Sequence, residues 1–410
     1  MGKIISEPKT YAGKDLETIF FRPAFSGKSL AELGVKVMLN TPVPVKMQLW
    51  KGAENVLKAY STGFTGGNIA TKYQKTISLE KIKAELSFDP TDYFEMVNEL
   101  VTNSANVNLG DLQGTPLEKA ETYLFREAIK NSIYITAWLG KKSRASGLYP
   151  TFDGWLQRLV TDSIAGTGEE TDIITCPSMA VTDAAETLFT SMFRNADTVL
   201  QDRKNLLAYF VTNDVLFNYE DTLKSANLES SRTAMIDGVQ RYMFNGIPII
   251  PVNLTDYLAD APDLPQSFAL LSVRENLVIA VNTNQLPDGQ VRMWYNEDEI
   301  ENRQRAIFMM SAEYVEPKLC VLAAAVTTPA TPTVKVAADN TTVTIEWTAS
   351  VQTSIYNVYK DGVFYSTVTT DEAAIVGLTK NTTYAFTVKA VIGAAESPAS
   401  AALSVTTTNV

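Results

Sequence analysis

The sequence predicts an α+β body over residues 1–327 followed by an all-β sandwich over 328–410, and three observations carry that division. An apolar run ending at Val326 gives way to Thr-Thr-Pro-Ala-Thr-Pro-Thr-Val-Lys, a Pro/Thr connector of the kind that separates domains. Beyond it the apolar residues alternate with period two, as half-buried strands require. Before it stands a helical stripe about 24 residues long with start and stop signals at both ends. The chain has 410 residues, 45% apolar and 20% charged, enough for a full core in two or three domains.

The body reads in order as follows. Residues 1–50 are rich in Pro and Gly with scattered large apolar residues (Ile19, Phe20, Phe21, Phe25, Val35, Val37), which predicts an extended arm. Residues 51–87 carry Gly-Phe-Thr-Gly-Gly-Asn at 63–68 between Lys/Thr-rich flanks and predict a long hairpin. Thr115, Pro116 and Glu118 then supply the N-cap, N1 and N3 of a capping box. Leu117, Ala120, Leu124, Ala128, Ile135 and Trp138 form the stripe, and Gly140 with Lys141 and Lys142 ends it. A second helix is expected from Asp183, with Glu186 at N3, carrying Leu188, Phe189, Met192, Phe193 and Val199. Leu206–Val211 then reads as a buried strand and Asn213–Lys224 as a helix. Further strands are expected at 246–252, 268–273 and 277–281, with a long alternating one from Arg303 to Val315.

In the tail, Val343, Ile345 and Trp347 open the alternation. Asp361-Gly362 separates two β-rich runs and signals a two-residue hairpin, because a type I′ turn needs positive φ. Leu378-Thr-Lys-Asn-Thr382-Thr-Tyr384 leads into Phe386, Val388 and Ala390. Together with Trp347 and Tyr356, these residues resemble a fibronectin type III domain, whose L-x-x-x-T-x-Y stretch makes a tyrosine corner. The resemblance covers about eighty residues and implies the fold, whereas such sandwiches serve as adhesive modules, spacers and decorations alike.

The body resembles the major capsid protein of tailed bacteriophages, whose shell fold is shared with the herpesvirus floor. The helix from Thr115 to Leu139, the helix-strand-helix from Asp183 to Lys224, and Tyr242-Met-Phe-Asn-Gly-Ile-Pro-Ile-Ile-Pro followed by Leu270-Leu-Ser-Val-Arg-Glu-Asn-Leu-Val-Ile-Ala-Val carry the likeness. The resemblance implies an N-terminal arm (1–50), an extended loop (51–87), a peripheral domain with a spine helix (88–165 and 290–327) and an axial domain (166–289), ahead of the sandwich at 328–410. It implies self-assembly into hexamers and pentamers of an icosahedral shell around double-stranded DNA, with scaffolding, portal and other head proteins as partners. Assembly would take place in the host cytoplasm and the mature location would be the virion. Some relatives weld subunits through a Lys-Asn isopeptide bond; Lys51, Lys58, Lys72 and Lys75 lie in the loop, yet no partner Asn or assisting Glu is marked by motif. A tail or baseplate protein, or a carbohydrate-active enzyme with an accessory fibronectin domain, is the alternative reading.

Composition removes competing chemistries. The chain has no histidine, which excludes Ser-His-Asp and Cys-His arrangements and an HExxH zinc site. Cys176 and Cys320 allow neither a tetrathiolate site nor a disulfide framework and are expected as buried thiols. Gly63-Phe-Thr-Gly66-Gly67 lacks the Lys-Ser/Thr of a phosphate loop, and Gly166-Thr-Gly168 is followed by two glutamates. Glu297-Asp-Glu-Ile-Glu301 and Glu169-Glu170-Thr-Asp172 read as solvated loops, and Trp50, Trp138, Trp155, Trp294 and Trp347 as core. No catalytic, cofactor or metal site is expected. The opening Met-Gly-Lys-Ile-Ile-Ser-Glu-Pro has no apolar signal region, and the longest apolar run, Leu319–Val326, is far short of the roughly 20 residues that span a bilayer.

A net charge of −11 disfavours a broad grip on nucleic acid and suits the inner wall of a motor-filled shell. The charge is uneven: residues 1–60 hold 9 basic and 5 acidic groups, whereas 80–122 hold 3 basic and 9 acidic. Lys28, Lys36 and Lys51 are therefore expected to meet Glu85, Asp89, Asp92 and Glu95 of a neighbour, since such asymmetry favours head-to-tail contact over self-pairing. The tail domain is expected on the outer surface, with host glycans as a possible ligand.

Overall fold

The computed structural model of the chain describes residues 8–12, 30–41, 45–52, 62, 70–88, 113–114, 116–144, 148–164, 172–228, 232–236, 239–282, 290–339 and 341–409. Two compact units emerge. The first gathers the described parts of 1–137, 151–153 and 278–315, and the second those of 138–150, 154–277 and 316–410.

In the first unit the strands are β1 (Lys9–Ala12), β2 (Lys36–Leu39), β3 (Val45–Gly52), β4 (Ala70–Ile77) and β5 (Glu80–Phe88), with a single helical turn α1 (Leu30–Leu33) before β2. Helix α2 (Pro116–Leu139) follows. At 1.5 Å per residue its 24 residues make a rod of about 36 Å. Its first turn is closed by Glu118, whose carboxylate accepts the Gly114 N–H at 2.6 Å. Thr115, the expected N-cap, lies outside the described residues. Strands β3 and β4 form the long hairpin, in register from Val45 opposite Ile77 to Gly52 opposite Ala70. The 63–68 glycine run between them lies outside the described residues.

The second unit continues with α3 (Trp155–Ile164), β6 (Asp172–Thr175), α4 (Ala184–Asn195), α5 (Thr198–Gln201), β7 (Leu207–Val211), α6 (Asn213–Ser225), β8 (Thr233–Ile236), β9 (Val239–Phe244), β10 (Ile247–Pro251), α7 (Thr255–Leu258) and β11 (Phe268–Val273). The chain then returns through β12 (Leu277–Asn282), β13 (Gln290–Asn296) and β14 (Glu301–Tyr314), and β15 (Cys320–Ala324) rejoins the second unit. Six strands of the first unit form one sheet in the order β1-β13-β14-β12-β2, with β5 also paired to β14. Seven form the sheet of the second unit, in the order β6-β15-β11-β7-β10-β9-β8.

Strands β7, β11, β12 and β15 are buried along their whole length, which is why each reads as a continuous apolar run. Helices α4 and α6 cover one face of the seven-stranded sheet, where Phe189 packs against Tyr209, Tyr219 and Phe244. Trp138 meets Trp155 edge-on at 4.9 Å and lies near Phe210 and Phe268. Burial of these aromatic rings dominates the core energetics of this unit.

The expected helix from Asp183 differs in its details. Asp183 is left-handed at φ 59° and caps nothing. The orphan N–H of Ala185 is instead accepted at 2.9 Å by Asn218 of α6, whose amide group donates to the carbonyls of Met179 and Val181. A cap borrowed from another helix leaves no local sequence pattern. The helix ends at Asn195, and Asp197 caps the separate turn carrying Val199 by accepting its N–H at 2.9 Å.

After a connector over 325–332 without regular structure come β16 (Thr333–Val336), β17 (Val343–Glu346), β18 (Tyr356–Lys360), β19 (Val363–Val368), β20 (Glu372–Ile375), β21 (Thr383–Ile392), β22 (Ala395–Glu396) and β23 (Leu403–Thr406). They form two sheets, β16-β17-β20 and β19-β18-β21-β22, with β23 also paired to β21. Asp361 and Gly362 both take positive φ, 49° and 77°, at the β18–β19 turn, as the Asp-Gly signal requires.

Candidate functional site

Among the described residues no group of three or more Cys, Asp and Glu side chains could hold a metal ion, and several side-chain networks gather at the C-terminal domain and its seating. That domain is built around Trp347 and Tyr356, edge-on at 5.2 Å, over the buried Ile345, Val358, Phe386 and Val388. The Tyr384 hydroxyl accepts the N–H of Thr379 at 2.8 Å, which is the corner the spacing from Leu378 to Tyr384 predicted. On the exposed side of β18 and β21, the Glu396 carboxylate accepts from Asn357 at 2.6 Å, Tyr359 at 2.9 Å and Lys389 at 2.9 Å. Burial pushes Glu396 up, but these three hydrogen bonds outweigh it and hold the group below the usual carboxylate range.

The connector is pinned. Gln352 accepts the Thr327 N–H at 2.8 Å and donates to the Leu264 carbonyl at 3.0 Å, while being only 8% exposed. Beside Leu264, Asp263 receives Arg144 at 2.7 Å and Lys141 at 2.8 Å. Burial raises Asp263, and hydrogen bonds and charge from Lys141 and Arg144 more than reverse the effect, holding it below its ordinary value. Arg144 also donates to the Leu139 and Leu148 carbonyls, tying the loop after α2 to the same corner. At the other end of the domain, the Glu396 N–H donates to the Thr175 hydroxyl at 3.1 Å.

Of the sequence-predicted contact residues, Lys36 stands exposed at the start of β2, opposite Val278 of β12. Lys51 lies on β3 opposite Thr71. Glu85 is exposed on β5, directly opposite Arg305, and pairs with Lys83 at 2.8 Å. Lys28, Asp89, Asp92 and Glu95 lie outside the described residues. Among the described residues, no basic and acidic members of the expected set are brought together within one chain.

The acidic run 297–301 forms the turn between β13 and β14, with Glu299 and Glu301 both pairing with Arg303. Cys176 and Cys320 are both buried free thiols, as expected. Burial pushes the Cys176 thiol up to about 12, which disfavours its thiolate at neutral pH. Trp138, Trp155 and Trp347 are core, whereas Trp294 is half-buried on the outer face of β13, between the Arg292 and Arg305 side chains. The alternation of Arg292 with Trp294, and of Arg303 with Arg305, was the signal that could have found this face.

Known proteins share parts of this chain's fold and sequence. Among solved structures, the satellite phage P4 procapsid including its size determination protein is similar at 12% identity, covering 71% of this chain and 92% of that one with a TM-score of 0.43. The capsid of Myoviridae Phage XM1 is similar at 9% identity over 73% of this chain and 92% of that one, with a TM-score of 0.45. Among curated proteins, the chitinase Chi52 of Paenibacillus xylanexedens is 47% identical over 74 residues, 17% of this chain, and the chain covers only 14% of that protein's length. The fibronectin type III domain model matches residues 327–406. With the tyrosine corner, the two-sheet sandwich and this match in agreement, the C-terminal segment of the chain is a fibronectin type III domain.

Proposed function

We propose that the chain is a structural shell protein of a tailed phage, a major capsid protein carrying a fibronectin type III domain at its C-terminus. The observation that carries this reading is the architecture of the body. A two-stranded hairpin extends from a sheet whose strands come from both ends of the body, a 24-residue helix follows, and an α/β insertion departs and returns through β12, β13 and β14. That order supports the arm, loop, spine and axial insertion implied by the sequence resemblance, for which the proposed limits are 1–50, 51–87, 88–165 with 290–327, and 166–289, ahead of the sandwich at 328–410. Its work is assembly into hexamers and pentamers around packaged double-stranded DNA in the host cell, with other head proteins as partners and the virion as destination. The basic arm and loop (Lys28, Lys36, Lys51) and the acidic stretch (Glu85, Asp89, Asp92, Glu95) supply complementary charge for head-to-tail contact.

The C-terminal domain stands on the outer surface in this reading. Its pinning to the Asp263–Leu264 corner supports a fixed decoration rather than a swinging one. Negative-stain microscopy of the expressed protein tests the assignment: closed shells are expected, whereas tubes would indicate a tail protein and dispersed monomers would defeat a self-assembling reading.

A further inference from the structure

The outward face of the first unit's sheet sets two arginines side by side. Arg292 of β13 and Arg305 of β14 are directly opposite each other in the antiparallel register. Like charges at such positions repel, since the side chains start only about 5 Å apart. Both guanidinium groups lie against the Trp294 ring, at 5.3 and 5.7 Å from its centroid. Neither has a carboxylate partner among the described residues, although acidic groups are close at hand. Glu85, opposite Arg305, is engaged by Lys83, and Glu299 and Glu301 are engaged by Arg303. Lys81 adds a further cation on the same face, opposite Met309.

We propose that Arg292 and Arg305, held on Trp294, form the receptor for carboxylates of a second copy of this chain, namely its stretch carrying Asp89, Asp92 and Glu95. Stacking on an indole fixes the planar guanidinium groups while leaving their N–H edges free for bidentate pairing with carboxylate. The neighbouring glutamates favour a protein partner over DNA, because a polyanion laid on this face would meet Glu85 and Glu301, whereas a mixed-charge peptide need present carboxylates only at the arginine pair. The stretch beginning at Asp89 holds acidic groups at steps of three and few cations, which is the complement this face lacks. The contact is heterologous, receptor on one subunit and carboxylates on the next, as a closed ring requires. It gives the acidic stretch a preformed target in addition to the arm lysines.

The inference rests on the shell reading, and its test separates the two. Particle formation by wild-type protein is followed by light scattering and microscopy beside R292E/R305E, D92R/E95R and an equimolar co-expression of both variants. Absence of wild-type particles would count against the shell reading itself. Each variant alone is expected to assemble at least roughly tenfold more slowly at low salt. Co-expression is expected to restore assembly in part, because a receptor whose neighbour is the other variant then meets an oppositely charged stretch. R292K/R305K, which keeps the charge but loses the planar fork, is expected to assemble at a rate between wild type and R292E/R305E, and the thermal midpoints of the unassembled variants show whether each is folded. Normal assembly of both reversal variants would overturn the proposal. So would co-expression that leaves assembly as slow as in either variant alone while a chain carrying all four reversals assembles normally, which would mean an intramolecular contact. Normal assembly of R292Q/R305Q with reduced DNA content would assign the face to nucleic acid and overturn it equally.

Discussion

Gln352 bridges Thr327 and Leu264, accepting an N–H from the first at 2.8 Å and donating to the carbonyl of the second at 3.0 Å. One amide thus satisfies a connector residue and a body residue at once. A Pro/Thr connector would by itself leave the C-terminal domain loosely tethered; here its first residue is fastened to the domain it introduces.

Replacing Gln352 by Leu keeps the volume and removes both hydrogen bonds, leaving the Leu264 carbonyl and the Thr327 N–H without this partner. A net loss of about 1 kcal/mol in seating is expected, since the Leu264 carbonyl keeps the Gln266 amide at 3.0 Å. Limited proteolysis should cleave the 325–332 connector several-fold faster in Q352L, releasing a domain that still folds. An unchanged cleavage rate would show that the connector is held by other contacts.

Two glycines separate the folding of the C-terminal domain from its seating. Gly362, at φ 77°, has nothing within 4 Å of where a Cβ would stand, so Gly362→Ala meets only the backbone cost of the left-handed region, about 1 kcal/mol. Gly393, at φ 59°, would place a Cβ 3.2 Å from Ile173 Cβ and 3.4 Å from Ser163. Gly393→Ala should therefore lower stability like Gly362→Ala and in addition loosen the domain from α3 and β6. Calorimetry should show the two variants alike in the domain's own transition, and proteolysis should show only the second releasing it.

How far the sequence spoke for this structure depended on the range over which each signal acts. Local signals were legible: the Asp-Gly turn, the spacing from Leu378 to Tyr384, the Glu118 closure of α2, and the continuous apolar runs that became fully buried strands. The Asn218 cap of α4 was not, because its partners lie 33 to 39 residues away in sequence. The arginine pair on Trp294 escaped for a similar reason. Arg292 and Arg305 become neighbours only once the register of β13 and β14 is set, and a lone tryptophan in a strand more often belongs to the core. The seating of the C-terminal domain was hidden in Gln352, a residue whose type carries no preference for such a role.

Burial gives the first unit a pH dependence. Glu121 of α2 is 1% exposed, neither carboxylate oxygen has a hydrogen-bond partner, and burial raises its pKa to about 8 from an ordinary 4.5. Its helical turn packs on the sheet, where Thr122 meets Met293 and Met293 lies opposite Gln304. Among the described residues, the Asn302 and Gln304 amides on the buried face of β14 also lack partners. Because the folded state binds this proton more tightly than the unfolded chain, stability is greatest below pH 4.5 for this group and falls as pH rises toward 8. The loss amounts to roughly 4 kcal/mol over that span. Glu121→Gln should flatten this slope and be the more stable protein at pH 8, with little difference at pH 4.5. Urea titrations at the two pH values measure it, and a parallel pH dependence in both proteins would show that Glu121 is ionised in the fold.

The last prediction concerns the hairpin. Lys75, at the inner end of β4, pairs with Glu313 of β14 at 3.0 Å and lies 3.7 Å from the centroid of the Tyr314 ring. Glu313 is 4% exposed and also accepts the Tyr314 N–H at 3.2 Å. Lys75→Met keeps most of the side-chain volume against Tyr314 but removes the cation, taking one counter-charge from a buried carboxylate. Breaking such a pair from one side costs about 3 kcal/mol or more, because the remaining charge is still desolvated. Removing both charges, with Lys75→Met and Glu313→Gln together, should recover most of that loss, since neutral groups of similar shape demand less compensation. Hydrogen exchange at the β4 amides near Thr76 and Ile77 should therefore speed in the single variant and return toward wild type in the double one. Equal exchange in all three proteins would mean that β4 is held at this end by its backbone ladder and apolar contacts without help from the ion pair.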